Sequence, residues 1–333
     1  MSAIAVLGAG SWGTALGVHL ARTGHAVTLW AREPEVADEI RRERRNPRYL
    51  AGISIPAPVT ATASMDEALR GAEYVTFAVP SHVARAVAQA AKPYIADGAI
   101  LVSAMKGLES ASLQRMSQVV ATEAGDGRPV VVLSGPSFAS EVARDLPTAV
   151  LAASSDPRAA TLVQEQFRGR TFRIYASDDV AGVEIGGALK NVIAIAAGCV
   201  EGLGLGHNAM AALITRGLTE ISRLAYAEGG RRETLAGLSG LGDLVLTCTG
   251  DLSRNRHVGV ELGRGRQLDD ILAGMHMVAE GVRTTGAALA LGERHGIELP
   301  ITAEMYAVLE AKRSPEEAVE SLMGRRQRPE SDR

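Results

Sequence analysis

Lys190 is the residue in this chain best suited to proton chemistry. It lies in the run EIGGALKN, residues 184–191, among glycine, alanine, leucine, valine and isoleucine. A buried ammonium must be paired or lose its proton. A lysine whose pKa is lowered in this way serves as a general acid or base near neutrality. The plainer alternative is a side chain that snorkels to the surface. Three further stretches carry polar groups in patterns that packing does not require. Ser103-Ala104-Met105-Lys106-Gly107 follows an apolar run, and Lys106 could anchor an anion there or be a solvated loop lysine. Ser134-Gly135-Pro136-Ser137-Phe138-Ala139 joins an apolar run to a helical stretch. Its small residues suit an anion or sugar contact at a helix N-terminus, with Ser137 as a plain N-cap the alternative. Residues 237–255, GLSGLGDLVLTCTGDLSRN, bring Asp243 out of a glycine-rich turn and follow it with Ser253, Arg254 and Asn255. Arg254 offers a planar fork that matches a phosphate, and its neighbours add hydrogen bonds. Asp243 could hold a substrate hydroxyl or the lysine. Each of these groups alone could be a helix cap or a solvated charge; together they suggest a site.

A second constellation stands at the N-terminus. Gly8-Ala9-Gly10-Ser11-Trp12-Gly13 is a GxGxxG turn placed directly after an apolar run and before the helical segment 14–22. The first glycine permits the tight turn, the second lets backbone approach a pyrophosphate, and the third lets helix pack on strand. With strand before and helix after, the turn reads as a dinucleotide site, the plainer alternative being a merely structural glycine turn. Its specificity should be read at the end of the second strand, where NAD-binding sites place an acidic residue. Here the strand ends Leu29-Trp30-Ala31-Arg32-Glu33. Arg32 suits a 2′-phosphate and favours NADPH, whereas Glu33, one step on, keeps NADH open.

These groups need a scaffold that delivers them at strand ends and on helices. Strand candidates are 3–7, 26–30, 74–79, 99–103, 130–133, 149–153 and 172–176, with helical composition between most of them, for instance at 83–91 and 113–124. Runs of valine, isoleucine, leucine and alanine without alternation suit strands buried on both faces. The order is that of a doubly wound α/β sheet. The rhythm stops near Ser177, after which the text is helical, so a boundary is expected at 177–185. The division is residues 1–180, a dinucleotide-binding domain; 181–325, an all-helical substrate and catalytic domain; and 326–333, a polar tail.

Composition narrows the function classes. The 333 residues suffice for about two domains. A net charge of -3 and 4% aromatics give neither the basic field nor the stacking platforms of a nucleic-acid binder. Cys199 and Cys248 make no disulfide framework, and the histidines show no metal-ligand spacing, so no metal is expected. The start MSAIAVLGAGSWG has no signal-peptide features, and the best apolar run, 192–200, is short of a membrane span. A cytoplasmic protein is expected. Of 35 basic residues only four are lysines, Lys92, Lys106, Lys190 and Lys312. Genomic bias accounts for the arginines, yet at Lys190 an arginine could not release its proton.

The motifs GAGSWGTAL, NPRYLAGI, SAMKGLE, LSGPSFASEVA, ALKNVIAIAAG and LSGLGDLVLTCTGDLSRNR together resemble those of the bacterial NAD(P)H-dependent glycerol-3-phosphate dehydrogenases over nearly the whole chain. The resemblance implies a Rossmann-like domain followed by an all-helical domain of the 6-phosphogluconate-dehydrogenase kind. It implies that Lys190 is the proton donor and acceptor. Lys106, Gly135, Ser137, Asp243, Ser253, Arg254 and Asn255 then match substrate contacts. Ser11, Trp12, Arg32, Tyr49, Lys106, Ala139, Arg254, Val278 and Glu280 match cofactor contacts. The implied substrate is dihydroxyacetone phosphate, and glycerol 3-phosphate would feed phospholipid synthesis in a cytoplasmic enzyme compatible with a homodimer. Two departures from the family pattern are Gly17, where alanine is common, and Glu33 beside Arg32. Two rival readings remain at this level. One is a β-hydroxyacid dehydrogenase of similar build, since arginine also suits a carboxylate. The other is a dinucleotide-sensing module without turnover, which would not need Lys190.

Overall fold

The structure, a computed structural model, describes residues 1–330 except 126, 276 and 328; part of the expected polar tail, residues 328 and 331–333, lies outside the described residues. Eight strands form one sheet: β1 Ala3–Leu7, β2 Ala26–Trp30, β3 Val59–Thr62, β4 Tyr74–Phe77, β5 Ile100–Ser103, β6 Val130–Ser134, β7 Thr148–Ala153 and β8 Phe172–Ser177. Their order is β3-β2-β1-β4-β5-β6-β7-β8. All neighbours are parallel except β6 and β7, which run antiparallel. The sheet is therefore doubly wound and mostly parallel. Its order reverses between β1 and β4, which is where such sheets hold ligands, outside the carboxyl ends of the strands.

Alternation along β1 shows why its strands read as continuous apolar runs. Ile4 and Val6 pack with Leu16 and Leu20 on one face of the sheet. Ala5 and Leu7 pack with Phe77 and Leu101 on the other. The helix Ser11–Arg22 lies so close to β2 that a Cβ on Gly17 would meet the Leu29 side chain at 2.9 Å, so a larger residue there would make that leucine shift.

Two elements differ from the sequence expectation. β3 has no counterpart among the expected strands. It is a four-residue edge strand paired only with β2, and Thr60 and Thr62 interrupt the apolar signal. The helix expected at 113–124 starts only at Met116 and passes into a wider π turn over Ala121–Gly125. Leu113 has a φ of 61°, which a right-handed helix cannot use. Arg85 holds the preceding loop in place through Glu109, at 2.8 and 2.7 Å.

From Val180 onward the described residues form only helices and turns. Asp179 caps the first of them, accepting from Gly182 N–H at 2.8 Å. This central helix, Val180–Gly202, is long and apolar enough to cross a membrane, but all of its apolar window is buried inside the protein. A helix apolar on every side is a core helix. It crosses the helix Arg254–Gly263 backbone to backbone: a Cβ on Gly198 would lie 2.1 Å from Arg256 O, and one on Gly259 would lie 1.9 Å from Ile195 O. Glycine at both positions lets Lys190 and Asn255 come from adjoining helices. Glu184, on the same helix, accepts from Ser117 N–H and from Arg115, both at 2.8 Å, and from Ser117 Oγ at 2.5 Å. Burial pushes this carboxyl above its usual range against the pull of Arg115 and Ser117. These bonds tie the central helix to the segment after β5.

Candidate active site

Lys190 is buried on the central helix, its side chain 7% exposed. Its ammonium lies 3.2 Å from Asp243 Oδ1 and donates to Thr247 Oγ1 at 2.8 Å and to Asn191 Oδ1 at 3.2 Å. Lys106, beyond the end of β5, reaches the same carboxylate from the other side. Its Nζ is 2.6 Å from Asp243 Oδ2 and 2.9 Å from the Gly135 carbonyl. Two ammonium groups thus share one carboxylate that is itself 2% exposed. Burial brings the Lys190 pKa down to about 8; Asp243 opposes that shift and Lys106 adds to it. A lysine so placed holds its proton at neutral pH and can still release it.

Local sequence explains the delivery of each group. Asp243 opens the helix Asp243–Thr249 directly after the π turn Leu238–Gly242. A Cβ on Gly240 would lie 2.0 Å from Leu235 O, so the turn requires glycine there. Gly135 stands at the end of β6 with φ 136°, and a Cβ would press on the Val150 backbone at 3.0 Å. Ser137 does not cap the helix Ala139–Ala143, whose N-cap is Phe138. Its Oγ instead donates to Gly135 O at 2.9 Å, beside Lys106. Ser253 is the N-cap of the helix Arg254–Gly263 and accepts from Arg256 N–H at 3.2 Å. Its hydroxyl proton is left to donate. Asn255 is buried, accepts from Gly281 N–H at 2.9 Å and donates to Asn191 Oδ1 at 2.9 Å. One N–H of its amide remains for a ligand. Arg254, in contrast, is exposed on the first turn of its helix.

Asn191 and Thr247 were not singled out from sequence, yet both fix the Lys190 ammonium. Thr247 follows Asp243 by four residues, one helical turn, and its Oγ1 donates to Asp243 O at 2.6 Å.

The glycine turn is shaped to receive a dinucleotide. Gly8 has φ 115° and Gly13 sits so near it that a Cβ would lie 1.9 Å from Gly8 O, whereas a Cβ on Gly10 would meet nothing within 4 Å. The helix Ser11–Arg22 begins with Gly10 as N-cap, no capping side chain and no acidic residue in its first turn. Its first N–H groups are thus left for an anion, favoured by the helix dipole. Ser11 Oγ lies 2.5 Å from Tyr49 O and 2.9 Å from Met277 Sδ, and Trp12 Nε1 donates to Ala104 O at 3.1 Å. Ala139 and Val278 are half-buried, Ala139 at the first position of its helix and Val278 just before the helix Glu280–Arg294. Glu280 accepts from Ser81 N–H at 3.1 Å and Ser81 Oγ at 2.5 Å, reaching from the helical half to the segment after β4.

Arg32 stands apart from the lysine cluster, at the end of β2. Its guanidinium is 74% exposed and already paired with Glu33, at 3.1 Å from Nε and 2.5 Å from Nη2. Both bonds end on Glu33 Oε1, which leaves Nη1 of the guanidinium to face a 2′-phosphate. Neither cysteine competes for a chemical role. Both are buried, and burial pushes each thiol up to about 12.

Comparison with known proteins gives one consistent result. The model of the NAD-dependent glycerol-3-phosphate dehydrogenase N-terminus matches residues 3–160, and that of the C-terminus matches residues 179–320. The chain is 56% identical to a glycerol-3-phosphate dehydrogenase (NAD(P)+) of Koribacter versatilis, covering 98% of each chain. It superposes on the crystal structure of a glycerol-3-phosphate dehydrogenase from Coxiella burnetii with a TM-score of 0.94 at 44% identity, covering 97% of this chain and 99% of that one. A ketopantoate reductase from Ralstonia eutropha JMP134 shares the fold, with a TM-score of 0.60 at 17% identity over 93% of this chain and 97% of that one.

Proposed function

The chain belongs to the NAD-dependent glycerol-3-phosphate dehydrogenase family, and from that premise we propose how its residues interconvert dihydroxyacetone phosphate and glycerol 3-phosphate. The activity is that of an NAD(P)-dependent oxidoreductase acting on a CH–OH group. The observation that carries the residue assignment is the pair of lysines on one buried carboxylate. The bound nicotinamide dinucleotide supplies or accepts the hydride. In the reducing direction Lys190 gives its proton to the oxygen of the substrate carbonyl as charge develops there; in the oxidising direction neutral Lys190 takes it back. Lys106 polarises the same oxygen and Asp243 holds both ammonium groups in register. Arg254 holds the substrate phosphate with its guanidinium fork, aided by Ser253, the free amide proton of Asn255 and the helix N-terminus. Gly135 and Ser137 line the substrate beside Lys106. Oxidation of the reduced dinucleotide, followed by its absorbance, tests this reading: rapid turnover with dihydroxyacetone phosphate is expected, and turnover only with hydroxyacids or oxoacids would overturn it.

The division into residues 1–180 and 181–325 follows from the same reading, with the reaction at the junction. On the dinucleotide side, the Gly8–Gly13 turn takes the pyrophosphate, and Ser11, Trp12, Tyr49, Ala139, Val278 and Glu280 complete the contacts. Preference for NADPH over NADH rests on Arg32. Arg32→Ala is expected to raise the KM for NADPH about tenfold, the scale of a lost charge-assisted hydrogen bond, and that for NADH much less. An equal effect on both cofactors would remove Arg32 as the reader of the 2′-phosphate. A cytoplasmic location is part of the same proposal. Formation of glycerol 3-phosphate for phospholipid synthesis and assembly as a homodimer complete the proposal, the latter to be checked by mass in solution.

A further inference from the structure

We propose that Asn46 is the positioning residue of the dinucleotide turn, holding the backbone of the glycine loop in its binding shape without touching the cofactor. Asn46 is buried, 1% exposed. Its amide donates to Ala9 O at 2.8 Å and to Thr14 Oγ1 at 2.9 Å. Ala9 lies in the turn beside Gly8 and Thr14 in the first turn of the following helix, so one side chain bridges the two ends of the segment that receives the pyrophosphate. Thr14 Oγ1 itself donates to Ala9 O at 3.3 Å, closing a three-membered network. The orientation of the amide is fixed by chemistry: a carbonyl such as Ala9 O only accepts, so the donating nitrogen must face it. Asn46 Oδ1 is left buried without a hydrogen-bond partner, so the side chain is held there by its donors alone.

The same short segment grips the turn a second time. Asn46 O accepts from Tyr49 N–H at 3.3 Å and Leu50 N–H at 2.7 Å, which folds residues 46–50 back on themselves. Tyr49 O thereby comes to 2.5 Å from Ser11 Oγ. Arg44, just before, anchors the far side of this connection, donating to Ile55 O at 3.2 Å and Val59 O at 2.8 Å. Residues 46–50 are thus a brace between β2's connection to β3 and the glycine loop. Asn46 contributes to affinity through preorganisation, by removing loop conformations that would otherwise be lost on binding.

The proposal rests on the turn being the dinucleotide site, and its test reads binding directly, without substrate. NADH and NADPH are titrated into the full-length Asn46→Ala and Thr14→Val proteins, and steady-state parameters are taken alongside. Asn46→Ala is expected to weaken NADH and NADPH equally, by about tenfold each, because the pyrophosphate is common to both. The loss should appear in the cofactor KM and not in kcat. Thr14→Val, which keeps the shape and removes one arm of the bridge, should show a smaller loss of the same kind, and it serves as the test if Asn46→Ala does not fold. A lower Tm with unchanged cofactor affinity, or a loss confined to NADPH, would overturn the proposal. In the unsubstituted protein, normal dinucleotide binding with no turnover of dihydroxyacetone phosphate would count against the substrate assignment alone, whereas unchanged affinity in Asn46→Ala and Thr14→Val overturns the role of Asn46.

Discussion

Lys190→Ala is expected to lower kcat by about a hundredfold or more in both directions, the scale of a lost general acid or base. The effect should fall on kcat more than on the KM for substrate, since the phosphate contacts proposed for Arg254 and Asn255 are untouched by the substitution. Lys190→Arg separates charge from proton transfer. Arginine keeps the positive charge beside Asp243 but does not release its proton, so it should be nearly as slow as alanine even though the buried carboxylate stays paired. The pH profile carries the same signature. With Lys190 near 8, reduction needs the protonated form and should decline as pH rises through that value. Oxidation needs the neutral form and should climb through the same range. Near-normal kcat in Lys190→Ala, or limbs unrelated to this lysine, would sink the assignment.

Much of this was legible from sequence because it rests on local order. The glycine turn is a contiguous motif between a strand and a helix, and β1 and β2 stand where the apolar runs place them. Lys190 was legible because a long segment with no polar face has to be buried, and a lysine inside it is then conspicuous. What escaped the reading depends on distances that periodicity does not encode. Lys106 and Asp243 are 137 residues apart in the chain and share an ion pair; Ser81 and Glu280 are separated by 199. Asp243 was open between a substrate hydroxyl and a lysine, and in the structure it meets two lysines. Thr247 and Asn191 escaped because a threonine on a helix and an asparagine beside a lysine have nothing locally unusual. β3 escaped because an edge strand of four residues, half of them threonine, has little apolar signal. Arg32 was read as a partner for a 2′-phosphate with Glu33 one step on, and in the structure two of its nitrogens, Nε and Nη2, turn to Glu33, a choice of partner that sequence spacing does not encode.

Asp243→Asn should be the second most damaging change, and its effect should depend on the direction of the reaction. The carboxylate sits between two ammonium groups, at 2.6 Å from Lys106 and 3.2 Å from Lys190. Removing one partner of a buried ion pair costs about 3–5 kcal/mol when the other charge is left in place. The protein can avoid part of that cost by discharging a lysine. Lys190 is the one to discharge, because its side chain is 7% exposed against 19% for Lys106. Asp243 holds the Lys190 pKa up while burial and Lys106 hold it down, so without the charge the pKa falls below about 8. At neutral pH the protonated fraction then shrinks. Reduction of dihydroxyacetone phosphate should fall by roughly a hundredfold, combining lost protonation with lost orientation. Oxidation of glycerol 3-phosphate, which uses the neutral amine, should lose only the orientation component and be hurt less. The ratio of the two rates at one pH is therefore the decisive quantity, and in reduction the descending limb should move to lower pH. Equal losses in both directions with an unmoved limb would show that Asp243 orients the substrate without setting the charge on Lys190.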